Sequence, residues 1–468
     1  MLLLSLMSLA GAASLDNLEV GGPWGTPTAS DATALWWNPA GMAMGSGTRL
    51  IIDVERAIAT VNYVRADPYN GGLDVYETFG TIPFGGVVTD FGVKGLGVGI
   101  GGGAPIARGG EEKQAGGSGA YHMIMGATQQ ANFMLGAAYS PDPLISLGVT
   151  GMLVKGTWEG IIAFQNVTDL DENISALGQE SGYTDAMIED LSYAAIVQYE
   201  PLEATAMRAA IGLASQPIDD LEIGASWVFG TTLVHTGGVT LNFSCPPQSD
   251  TLGRFGAEAY GICDESIKAN SDVTFAIPHR LRMGVAYTIN ELVRAELMGG
   301  WTGWSALDGF DIVMRDTAKL NDLDNPETTA LIEKDRFWAR DNENSTWFAL
   351  DTKTYVGERW TLGARALHDR AAVPDSTMSP NNYDANTTTL TGLVAVSIID
   401  QLEIGVRATH YMVATRVVTD SAYGVTLDEA NAKAPAYFYP QMNGTYDSSI
   451  SRFGLTLRGS FGGKNSEE

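Results

Sequence analysis

Apolar and polar residues alternate with a period of two in segment after segment of about ten residues, the spacing of a strand with two unlike faces. In RFGLTLRGSF, Phe453, Leu455, Leu457 and Phe461 point one way, and Arg452, Thr456, Arg458 and Ser460 the other. LEIGVRA sets Leu402, Ile404, Val406 and Ala408 against Glu403, Gly405 and Arg407. LEIGASW at 221–227, LRMGVAY at 281–287, VRAEL at 293–297 and WTLGARA at 360–366 repeat the pattern. In these segments charge and glycine share the face that the apolar residues leave. Counting such segments predicts about 14 strands. The best helical periodicity, around 169–192, amounts to short amphipathic turns in a loop.

Alternation alone fits two all-β architectures. A water-soluble sandwich buries the apolar face, whereas a membrane barrel turns it to lipid and keeps the polar face inside. Three features favour the barrel. Strands begin or end in aromatics (Trp227, Tyr287, Trp301, Trp360, Tyr411, Phe461), as an interfacial girdle requires. Short turns such as PIDD at 217–220 and SIIDQ at 397–401 alternate with long polar segments. The last strand ends on Phe461 before a short polar tail, 462–468. The expected fold is therefore a transmembrane antiparallel β-barrel over 48–461, closed so that no sheet edge meets lipid.

Composition narrows the function. Only 18% of residues are charged, and 55 acidic against 28 basic residues give a net charge of −27. That balance excludes nucleic acid as a partner, because phosphates call for Lys and Arg. No apolar run reaches the roughly 18–20 residues of a membrane-spanning helix. The block MLLLSLMSLAGAA at 1–13 resembles the apolar core of a signal peptide, with a small-x-small site at Ala10-Gly11-Ala12 that predicts cleavage of 1–12. It lacks the usual basic residues ahead of that core. Acidic runs at 169–173, 321–327 and 331–344 lack calcium-hand spacing and read as solvated loops. In an oxidising compartment Cys245 and Cys263 are a candidate disulfide. The five His are isolated, and no Gly-x-Ser-x-Gly elbow occurs. No catalytic residue, metal or cofactor is expected, and the protein is not expected to be an enzyme.

Two stretches stand apart from the strands. LWWNPAGMA, 35–43, places Trp36 and Trp37 before Asn38, Pro39 and Ala40. Pro39 removes a backbone donor and biases Asn38 away from helix. The residues alone allow either a turn in an ordinary core or a movable element seated against a wall. GLGVGIGGGAP, 95–105, formally contains a dinucleotide fingerprint. Its glycines alternate with Leu96, Val98 and Ile100 and lead to Pro105, which is strand spacing without the required helix. Gly97, Gly99, Gly101, Gly102 and Gly103 suit either a kinked strand or a lumen face with room for a plug.

With these residues in view, the chain resembles the FadL-type outer-membrane transporters of long-chain fatty acids and other hydrophobic compounds. TASDATALWWNPAGMA at 28–43 is similar to that family's N-terminal plug with its Asn-Pro-Ala. SLGVTGML at 146–153, FAIPHRLRMGVAYTI at 275–289 followed by WTGWSALDGF, the segment 358–395, and the closing LEIGVRATHY and RFGLTLRGSF carry the likeness onward in order. The resemblance implies a 14-stranded barrel in the bacterial outer membrane, stoppered by a hatch over 13–47 that includes Trp36, Trp37, Asn38, Pro39 and Ala40. A hydrophobic ligand would be captured by extracellular loops, pass to an internal site, and leave sideways into membrane lipid at a kinked third strand as the hatch shifts. The glycines at 97, 99 and 101–103 are the candidates for that kink. A monomer is expected. The alternatives are a porin for polar solutes and a barrel-embedded lipid-modifying enzyme.

Overall fold

A computed structural model describes residues 18–66, 73–112, 123–165, 194–243, 266–315, 336–421 and 442–462. The signal peptide over 1–12, the amphipathic turns of 169–192, Cys245 and Cys263, and the tail from 463 lie outside these residues.

The chain runs up and down through 14 antiparallel spans closed into a barrel. The first six are β1 (Thr48–Arg65), β2 (Leu73–Thr89), β3 (Leu96–Glu112), β4 (Met125–Asp142), β5 (Ile145–Gln165) and β6 (Ala194–Ile218). Five later spans are each broken once: Leu221–Val228 with Thr231–Phe243, Ser266–Ile277 with Arg280–Ile289, Val293–Thr302 with Gly309–Arg315, Arg336–Ala339 with Ser345–Val356, and Leu402–Val413 with Arg416–Val418. Trp360–Asp369, Thr387–Ile399 and Gly444–Phe461 complete the wall. The break after Ile277 falls at Pro278, which has no N–H to donate. There the His279 ring accepts a hydrogen bond from Gly230 N–H at 3.0 Å and packs on Trp227. Closure comes from β1 against the last strand, in register from Thr48↔Phe461 to Arg65↔Gly444. The first and last strands thereby leave no free edge at the seam between them.

Side-chain parity sets the two surfaces. Leu297, Leu455 and Met207 point out and are 64%, 56% and 80% exposed. Glu296, Thr456 and Arg208 beside them point in and are buried. An aliphatic exterior around a charged interior fits lipid outside. Several inward charges are paired, which offsets the cost of burial. Arg365 Nε meets Asp351 at 2.9 Å, Arg407 Nη2 meets Asp53 at 3.0 Å, and Arg294 bridges Glu222 and Glu296. Tyr287, Trp360 and Phe461 are exposed near the ends joined by short turns, as an aromatic girdle would have them. Tyr411 differs from the girdle expectation. It shares Arg407's parity, lies buried in the lumen, and carries Arg452 over its ring at 4.8 Å.

Candidate functional site

Residues 18–47 lie inside the barrel at the short-turn end, where Gly22–Trp24, Ala34–Trp37 and Pro39–Ala43 form three single turns. None is long enough to be stable alone; the wall holds them. Asn38 is extended, at φ −158°. Its side-chain oxygen accepts from Ala40 N–H at 3.2 Å, capping the turn that Pro39 starts. Its amide donates to Pro27 O at 2.8 Å within the segment and to Leu213 O of β6 at 3.0 Å. Trp37 Nε1 donates to Val20 O at 2.8 Å, folding the segment on itself. Arg282 stacks over Trp36 and Trp37, 4.8 and 5.0 Å from the ring centroids. Trp37 also meets Trp347 edge-on.

Wall side chains grip the segment chiefly by its carbonyls. Arg282 donates to Trp36 O at 2.5 Å, Ser226 to Trp37 O at 2.6 Å, and Ser146 to Ala40 O at 2.8 Å. Arg49 reaches Ser30 O and Met42 O, and Arg365 reaches Leu18 O and Gly25 O. Arg458 adds an ion pair to Asp31 at 3.0 Å. These donors come from strands all around the barrel. The sequence reading put such arginines on the lumen face without assigning them a task; their signal was lone arginines alternating with glycine in otherwise apolar strands. Removing Arg365 as Arg365→Ala leaves Asp351 and Glu19 buried without their cation, a loss of about 3–5 kcal/mol. The expected result is protease cleavage between residues 18 and 47 at times when the parent protein resists. An unchanged digestion pattern would show that the clamp is dispensable.

The predicted glycines divide into two groups. Gly97 faces in, and a Cβ there would sit 2.4 Å from Met42. One on Gly99 would crowd Val88 at 2.8 Å and Leu35 and Met42 at 3.1 Å, and one on Gly101 would approach Leu35 at 3.0 Å. These three leave room for the N-terminal segment. Gly102 and Gly103 pair in unbroken register with Gly85 and Phe84 of β2 and with Phe133 and Asn132 of β4. The irregularity begins immediately afterwards. Between Gly103 and Ile106, β3 carries one residue more than β4, a bulge at Ala104–Pro105. On its other side, β2 and β3 lose register after Phe84↔Gly103 and regain it only at Glu77↔Glu111. Residues 78–83 therefore face 104–110 without a regular ladder. Of the five glycines only Gly103 borders this interruption.

The inner side of the interruption is apolar. Tyr76 and Ile82 of β2 join Ala57, Ala59 and Val61 of β1 in one buried cluster. The loop between Asp369 and Thr387 folds onto it, bringing Val373, Met378 and Tyr383. Tyr383 stacks on Tyr446, and Tyr446 on Tyr63, at 5.6 and 4.6 Å. Arg416 fastens that loop through Val373 O and Asp384 O. A second cluster, with Val154, Trp158, Leu233 and Phe275, lines the wall from β5 onward.

No family model and no curated protein matches the chain. Solved structures do. A FadL homologue from Pseudomonas aeruginosa superposes with a TM-score of 0.76 at 14% identity, covering 97% of this chain and 100% of its own. The toluene transporter TodX from Pseudomonas putida gives 0.62 at 13%, covering 92% and 95%. The monoaromatic hydrocarbon channel CymD gives 0.60 at 13%, covering 92% and 93%. At these identities the likeness is one of fold.

Proposed function

We propose that this barrel, the fold of which is shared with hydrophobic-compound transporters, carries long-chain fatty acids or other hydrophobic molecules passively across a bacterial outer membrane. The observation that carries the reading is the interruption between β2 and β3, with a buried apolar cluster on its inner side and the exposed aliphatic belt outside. A ligand captured by the extracellular loops desolvates at about 25 cal/mol per Å² of apolar surface. It descends to the tyrosine-lined cluster, where residues 18–47 act as a hatch that closes the way below. The sideways route past Gly103, Ala104 and Pro105 leads from one apolar site to another, so the transfer needs no energy source. Trp36, Trp37, Asn38, Pro39 and Ala40 set how readily the hatch shifts. A closed barrel needs no partner subunit, and we take the working unit to be a monomer.

Pro39→Ala loosens the turn that seats Asn38, and Gly99→Val presses on Leu35 and Met42. Both should lower uptake of a labelled long-chain fatty acid several-fold in cells lacking another route, with the barrel still folded. Normal uptake by both variants at matched surface amounts rejects the hatch assignment. Large steady ion currents through the parent protein would point to a porin instead.

A further inference from the structure

The outward face beside the interruption has two features that the transport reading leaves unused. The first is a trough. Gly85 of β2 and Gly102 of β3 are cross-strand partners, flanked in the same row by Ile52 of β1 and Phe133 of β4. With Val87 and Ile100 they belong to an open apolar groove of about 980 Å³ on the lipid side. Such a volume lies at the upper end of small-molecule sites, roughly 300–1,000 Å³. A Cβ on Gly85 would meet nothing nearer than Ile51 O at 3.7 Å, and one on Gly151, also lining the groove, nothing nearer than Leu135 O at 3.9 Å. Packing does not demand glycine at either place, although glycine weakens a strand. Its effect is to leave the sheet bare.

The second feature is Arg56, exposed on the same face of β1 as Ile52. Val54 and Ile58 on either side of it, and its cross-strand partner Phe453, are exposed apolar residues of the belt. Arginine facing lipid at such a place is costly and marks a function by default. On the β2 side its cross-strand neighbour is Thr81, whose hydroxyl accepts one of the guanidinium's hydrogen bonds at 3.3 Å. Thr81 belongs to the stretch of β2 that has lost register with β3. Four residues, about 13 Å along a strand, separate Arg56 from Ile52 at the trough.

We propose that Arg56 and the Gly85–Gly102 trough together form a receiving site on the outside of the barrel for a long-chain carboxylic acid. The carboxylate rests on Arg56 beside the interruption and the chain lies in the trough. The site favours the transported acid over a membrane phospholipid, because Arg56 lies in the middle of β1, far from both strand ends, bracketed by apolar belt residues. The assignment rests on the sideways route proposed above and narrows the substrate to acids.

The test uses the full-length protein in phospholipid vesicles, with a fatty acid bearing a photoreactive diazirine far along its chain added directly to the bilayer. Peptide mapping should find Val87, Ile100 and Phe133 labelled at least fivefold over Leu362 and Leu390 on another part of the belt. Arg56→Gln should abolish most of that excess while leaving labelling by the neutral methyl ester unchanged. Gly85→Leu with Gly151→Leu should remove the excess for both probes. Even labelling around the belt, or acid labelling indifferent to Arg56→Gln, overturns the site. Preferential labelling by a photoreactive phospholipid overturns it in favour of a resident lipid. Since the probe enters from the bilayer, these results are separable from uptake. A protein that transports yet labels evenly loses only the receiving site, and one that labels as expected without transporting loses the route.

Discussion

Gly212→Val should convert a closed barrel into a leaking one. A Cβ at Gly212 would lie 2.0 Å from Asn38 Oδ1, 2.9 Å from Ala40 N and 3.0 Å from Pro39 Cδ. Neither side can yield cheaply. Gly212 is fixed in the sheet between Gly148 and Ser226. Asn38 is held by its contacts to Pro27, Ala40 and Leu213, each worth about 1 kcal/mol. Valine itself suits a strand, so the wall should close as before. Residues 18–47 then have to leave their seat, and, if they act as the proposed hatch, single-channel conductance in planar bilayers should rise at least tenfold. Gly392→Val is the control, because a Cβ there meets nothing within 4 Å. A Gly212→Val barrel as tight as its parent would refute the seating described above.

Removing the extra residue of β3 should seal the side of the barrel. Deleting Ala104 and replacing Pro105 by valine restores a donor and equalises β3 with both neighbours. From Gly103 to Glu111, β3 is one residue longer than the stretch of β2 from Phe84 to Glu77, and the surplus against β4 lies between Gly103 and Ile106. A continuous ladder should make the barrel harder to unfold by heat in detergent. Uptake of a labelled fatty acid should fall at least tenfold, with conductance unchanged. Undiminished uptake through a demonstrably more stable barrel would mean that the ligand leaves by another path.

Much of the wall was legible in the chain, because strand parity is local information. RFGLTLRGSF and LEIGVRA each display which side chains meet lipid and which the lumen, and a period of two needs no knowledge of the neighbour. The same rule places Tyr411 inward with Arg407, against its assignment to a girdle on residue type alone. The seating of residues 18–47 was not legible. Arg282 reaches Trp36 and Arg365 reaches Gly25 across hundreds of residues, and no spacing encodes such pairs. The kink shows the intermediate case. The glycine run pointed to β3, but where a ladder fails depends on both partners. A Cβ on Gly97, Gly99 or Gly101 would crowd Leu35 or Met42, and the bulge falls on the Ala-Pro that follows.

The grip of the wall on residues 18–47 has a consequence for their exchangeability. Arg49, Ser146, Ser226, Arg282 and Arg365 all close on carbonyl oxygens, which every amino acid supplies. The socket thus follows the path of the main chain at these five points, while Leu35, Met42, Asp31 and the two tryptophans are read by their side chains. A stopper of foreign sequence that traces the same curve should snap into this barrel as a cartridge, provided that Gly25, Asp31, Leu35, Trp36, Trp37, Asn38, Gly41 and Met42 are kept.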